Sequence, residues 1–156
     1  MNLRPLTFAL AFILLCCAVA AAREDEPIER LIDKANSAGD HKAELFAKVA
    51  RREVDIANDD FTRGDVQHAY DAVKAVSEYS DKALQAARQY HKKLKETEIT
   101  LRETSRRLND IEQTLAFEDR PLVKQVVEHV EDVRSDLLHL MFEPEVQRQN
   151  SFQRSP

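Results

Sequence analysis

The sequence holds 156 residues, with 28 acidic against 23 basic side chains, a third of all residues charged, and no Trp. A formal net charge of −5 excludes a chain that coats nucleic acid or an anionic membrane by charge alone, and the length is that of one domain. Few aromatics and many charges leave an aliphatic core under a heavily solvated surface, so regular apolar spacing has to specify the fold.

Arg4 precedes the apolar run Leu6 to Leu15 and the small segment Ala18-Val19-Ala20-Ala21-Ala22, the pattern of a secretory signal peptide over residues 1–22. Arg23-Glu24-Asp25-Glu26 follows at once, so the run is read as cleaved and not as a stable membrane insertion. Both cysteines, Cys16 and Cys17, lie inside it, which leaves the mature chain without disulfides and dependent on packing. Leu15 before Cys16 does not suit lipid attachment. Loss of Arg4 takes the formal charge of the mature part to −6. The expected location is secreted or periplasmic, in bacterial style.

Residues 23–26 read as a flexible leader. Pro27 suits a first helical turn, and Ile28, Leu31, Ile32 and Ala35 form a stripe ending near Gly39, which predicts a helix over 27–38. Asp40 is the expected cap of a second helix over 41–60, with Phe46, Val49, Ala50, Ile56 and Ala57 on one face and Glu44/Lys48 one turn apart. It stops at Gly64, and Asp65 is the expected cap of the next.

From Val66 to Glu118 there is neither Gly nor Pro. Val66, Val73, Ala87, Leu94, Leu101, Leu108 and Leu115 share one heptad position, and Ala69, Val76, Ala83, Tyr90 and Ile111 the position three residues on. The pattern predicts one continuous helix over 66–118, roughly 80 Å long, whose seam other helices or another chain must cover. Asp119 then caps, and Pro121 opens, a fourth helix over 121–142 with Val123, Val130 and Leu137 at one heptad position and Val126, Val133 and Leu140 at the other. Polar composition and two prolines mark 143–156 as a disordered tail. The expected fold is all-α: antiparallel helical hairpins sharing one long central helix with heptad-type packing.

Ala57, Phe61, Gly64-Asp65, Val66, Ala69, Val73 and Val76 resemble the turn and second helix of a tetratricopeptide repeat, over about residues 41–76. Asp60 stands where that family has an aromatic, no Pro closes the repeat near Ser80, and no second copy follows at a 34-residue period. The resemblance implies a helical hairpin and a leaning toward protein binding.

No Gly-rich phosphate loop, Glu-x-x-His or haem-attachment motif occurs in the sequence, and no Cys pair outside the expected signal peptide, so no catalytic residue, cofactor or metal ligand is assigned. Asp65-x-x-His68 and Asp136-x-x-His139 have a spacing that could hold a metal, but Asp65 is better used as a cap and His139 belongs to a solvated face. The basic stretch Arg88, Lys92, Lys93, Lys95, Arg102, Arg106 and Arg107 reads as a solvated face, as the counterpart of Glu128, Glu131, Asp132 and Asp136 across a hairpin, or as a dock for an acidic partner or envelope polymer. Ser80, Thr97 and Thr104 interrupt the seam, so either helix one packs there or the middle of the long helix is left as an accessible apolar strip. Tyr90, Leu94, Arg88, Lys92, Lys95 and Arg102 are therefore the expected partner-binding residues, and Gly39, Asp40, Gly64, Asp65, Asp119 and Pro121 the expected turns and caps. The functional expectation is an exported protein-interaction or assembly module of the cell envelope, with an unknown protein partner or self-association and no nucleic acid. A small-ligand or metal-binding bundle and a periplasmic chaperone-like protein are the alternatives.

Overall fold

The computed structural model describes residues 26–152, with side chains through residue 142. The expected signal peptide and both cysteines lie outside the described residues. Those described are all-helical, with α1 at Ile28–Ser37, α2 at Lys42–Arg63, α3 at Val66–Tyr90, α4 at Leu94–Thr114 and α5 at Arg120–Phe152.

Helices α2 and α3 form the tightest pair. Gly64 makes their corner possible because it takes φ 80°, closed to most side chains, and the Asp65 N–H returns to the Asp60 carbonyl at 2.9 Å. The Asp65 carboxylate accepts the His68 N–H at 3.3 Å, relieving one unpaired amide of the first turn of α3. Small buried residues let the two backbones approach: Ala43, Ala47, Ala50 and Ala57 on α2, and Ala69, Ala72, Ala83, Ala86 and Ala87 on α3. Ring contacts Phe46–Tyr79, stacked at 6.2 Å, and Phe61–Tyr70, edge-on at 5.9 Å, fix the antiparallel register.

The expected continuous helix is not formed. It breaks at His91-Lys92-Lys93, where His91 and Lys93 both adopt left-handed backbone at φ 50° and 58°. The heptad seam still faces inward on both sides of the break: Val73, Val76, Ala83 and Ala87 are buried on α3, and Leu101, Leu108 and Ile111 on α4. A straight rod would leave much of that seam in water. Each left-handed non-Gly residue costs ~1–2 kcal/mol, whereas each large apolar side chain buried contributes ~1.5–3 kcal/mol, so folding back wins.

The break produces a four-helix bundle. Arg107 of α4 lies 3.7 Å from Asp55 of α2 and Lys93 acts electrostatically on Glu44, so these two helices run parallel. Pairs Asp81–His129 at 2.9 Å and Arg88–Asp136 at 2.6 Å make α3 and α5 parallel as well, while Ser105 bonds Glu131 and Arg134 reaches Glu98 across the antiparallel α4–α5 pair. The cyclic order is α2, α3, α5, α4, which puts the consecutive α3 and α4 on a diagonal, almost without contact. Helix α1 packs on α2 alone through Ala35, Ile28, Leu31 and Ile32.

Three further expectations are corrected. The N-cap of α2 is His41, without a side-chain cap bond; Asp40 sits in the preceding turn, which the Lys42 N–H closes onto the Gly39 carbonyl at 3.0 Å. Asp119 directs its carboxylate to the Tyr70 hydroxyl and not to the amides of α5, whose first turn holds Pro121. The backbone of the expected tail continues α5 as far as Phe152.

Candidate functional site

The expected accessible strip along the middle of the seam does not exist. Ser80, Thr97 and Thr104 are each fully buried, and each hydroxyl donates to the carbonyl one turn back, at 2.7, 2.7 and 2.9 Å. Satisfied in this way, a hydroxyl tolerates burial. It is not helix one that covers them, since α1 sits on the outer side of α2. Tyr90 and Leu94 are half-buried and pack against the core, so they support the corner more than they offer a surface.

What the fold does bring together is the corner between α3 and α4. The His91 N–H closes α3 on the Ala87 carbonyl at 2.9 Å, and the Lys93 carbonyl opens α4 by accepting the Thr97 N–H at 2.9 Å. Arg88, Tyr90, Lys92, Leu94 and Lys95 converge there; Arg102 lies two turns further down α4 and approaches Glu98 at 4.0 Å. Because α2 and α4 are parallel, both begin at this end, and neither has a side-chain cap.

The charges of the basic stretch divide into used and unused. Arg88 is taken by Asp136 at 2.6 Å, Lys93 by Glu96 at 3.3 Å and Arg107 by Asp55 at 3.7 Å. Lys92, Lys95 and Arg106 have no carboxylate within ion-pair distance among the described residues. Of the four acids expected to cover this stretch, Asp136 does so through Arg88, whereas Glu131 bonds Ser105 and Arg134 and Glu128 approaches Lys124 at 4.0 Å. Glu44 is held below the ordinary carboxylate range by its hydrogen bond from Lys48, against the opposing effect of burial, with His41 and Lys93 adding to the pull.

At the opposite end, Asp60 is buried beneath two more exposed cations, accepting from Arg63 and from the His68 ring, the latter at 2.6 Å. Burial alone would raise its carboxyl, but the two hydrogen bonds outweigh that and hold it below its ordinary value; His68 is raised by the same contact. This is a tie between helix ends, and neither of the sequence's Asp-x-x-His pairs forms a shared site: Asp65 receives a backbone amide and Asp136 the Arg88 guanidinium.

Two groups were missed in the sequence. Arg134 bridges Glu98 and Glu131 at 2.8 and 2.5 Å inside the α4–α5 contact; the signal was a Glu directly beside a core Thr. Glu53 of α2 is half-buried, with no ion-pair partner among the described residues. A cleft of about 320 Å³ also opens between α3 and α5, with Leu122 and Val126 on its floor and Lys74, Ser77, Asp81 and His129 around it.

No protein-family model matches the chain, and neither a curated protein nor a solved structure is similar to it at a significant level.

Proposed function

We propose that this chain is an exported, non-catalytic helical module that docks an acidic protein partner of the cell envelope through the α3–α4 corner. One observation carries the reading: within a basic stretch whose other members mostly have carboxylates of their own, Lys92 and Lys95 stand exposed at the corner with no ion-pair partner among the described residues. Complementary charge steers such encounters and sets orientation, and the two uncapped helix starts add partial positive charge at the same end. The likeness of the α2–α3 corner to a tetratricopeptide repeat leans the same way.

The test is a pair of charge reversals, Lys92→Glu with Lys95→Glu, examined by crosslinking in intact cells. Capture of envelope proteins should fall at least about tenfold while thermal unfolding stays within about 0.5 kcal/mol of wild type, since exposed substitutions barely perturb stability. Unchanged capture overturns the reading. Export is tested separately by N-terminal sequencing of the protein from the periplasm or medium, which should begin at Ala21 or Arg23.

A second reading, a small-ligand bundle, rests on the α3–α5 cleft, which falls at the lower bound of ligand pockets in size and has an apolar floor with a few polar groups. Absorbance and mass spectrometry of the purified native protein decide it: a copurified small molecule lost on Val126→Phe supports it, and its absence removes it.

A further inference from the structure

We infer that the His91–Lys93 corner is a hinge through which two copies of this chain exchange their α4–α5 hairpins. The inference is independent of the docking proposal and rests on three observations. The first is phase. Ala87, Leu94 and Leu101 continue one heptad position, and Ala83, Tyr90 and Thr97 the other, without a skip across the corner. Straightening three residues therefore gives a single helix from Val66 to Thr114, roughly 75 Å long, with its seam on one face throughout.

The second is strain. His91 and Lys93 are both non-Gly residues held at positive φ, and both relax into ordinary helical backbone when the corner opens, each recovering a conformational penalty that nothing else in the fold removes. Lys93 and Lys92 carry no backbone requirement of their own, being good helix formers.

The third is topology. Helices α3 and α4 scarcely touch, so opening breaks no interface between them. Pairs α2–α3 and α4–α5 stay inside their hairpins. All that is lost lies between hairpins: the α2–α4 and α3–α5 contacts, including Asp55–Arg107, Asp81–His129, Arg88–Asp136 and Tyr70–Asp119. A second opened copy supplies every one of them in trans. Because α3 and α4 are antiparallel in the closed bundle, the two long helices of the exchanged pair run antiparallel across a two-fold axis, the closed symmetry that homodimers favour. Short strained connections invite this exchange.

The experiment uses the mature chain, which has no cysteine, carrying Asp81→Cys and His129→Cys as a reporter pair for a short bis-maleimide crosslinker. Three backgrounds are compared by light scattering and denaturing gels: wild type annealed from heat at high concentration, His91→Ala/Lys92→Ala/Lys93→Ala, and His91→Gly/Lys93→Gly. Alanine favours the straight helix and glycine the corner. The alanine background should dimerise at least about tenfold more tightly than wild type, with crosslinks between chains, and the glycine background should stay monomeric with crosslinks inside one chain. A monomer crosslinked only within itself in all backgrounds overturns the inference, as does a dimer whose crosslinks are all intramolecular. Should the alanine background not fold, the annealed wild type decides by the same two criteria.

Discussion

Glu53 shows how one carboxyl can be placed against its own preference. Its carboxyl is pushed up to about 7, chiefly by burial; nearby His68 pulls against this, and the carboxylates Glu29 of α1 and Glu78 of α3 add to the rise. The Tyr79 hydroxyl is raised chiefly by burial and then by the charge of Glu53. Between the ordinary value of 4.5 and about 7 the folded chain holds a proton that the unfolded chain has lost, so this residue's contribution is favourable below that window and falls as pH rises through it. Glu53→Gln should therefore leave stability nearly unchanged at pH 4.5 and raise it by about 1–2 kcal/mol at pH 8, after allowance for the group's partial exposure; urea midpoints across that range check it, and a constant difference would refute it. Asp60 works with the opposite sign: its lowered carboxyl contributes above its unfolded value and is lost on acidification, while the raised His68 contributes below neutrality and is lost as pH rises. At the corner, His91→Gly and Lys93→Gly should each stabilise the closed monomer by ~0.5–1 kcal/mol, since glycine accepts positive φ; a loss in thermal midpoint for both would mean that the corner is unstrained.

Among the elements, α4 depends on few large side chains. Leu101 and Leu108 are fully buried and alternate along the seam with the buried hydroxyls Thr97 and Thr104, so Leu101→Ala should cost ~2–5 kcal/mol by denaturant titration. Helix α1 is at the other extreme. It has ten residues, one of them buried, and touches only α2; too short to persist alone, it should lose amide protection by hydrogen exchange well before α2 to α5. The helices themselves were legible because Gly39, Gly64 and Pro121 punctuate the chain and the apolar step is regular. The break at 91–93 was not, because neither Gly nor Pro marks it and the heptad phase runs through it unchanged. Only the competition between buried seam and backbone penalty decides it, and that competition is set by helices distant in sequence. The same blindness misplaced the surface: Ser80, Thr97 and Thr104 look like gaps in a seam until the back-bonded hydroxyls are seen to fit inside it. The basic residues Arg88, Lys92 and Lys95 were legible as a group, but which of them lacks an internal partner depended on α5 lying beside α3.

For the whole molecule, the diagonal step from α3 to α4 sets what is adjacent to what, pairing α2 with α4 and α3 with α5 in parallel. That arrangement has a practical consequence in the ultraviolet. All three tyrosines lie on α3, and the sequence has no Trp. Tyr70 touches Asp119 and Phe61 near one end, Tyr79 stacks on Phe46 beneath the Lys82 ammonium at the middle, and Tyr90 stands at the other end. Phenol emission thus surveys a single helix at three heights, whereas far-ultraviolet dichroism sums over the entire backbone. Melting curves from the two probes should superimpose if the bundle opens as a unit, and departure of α1 would dim the second signal while leaving the first dark to the event.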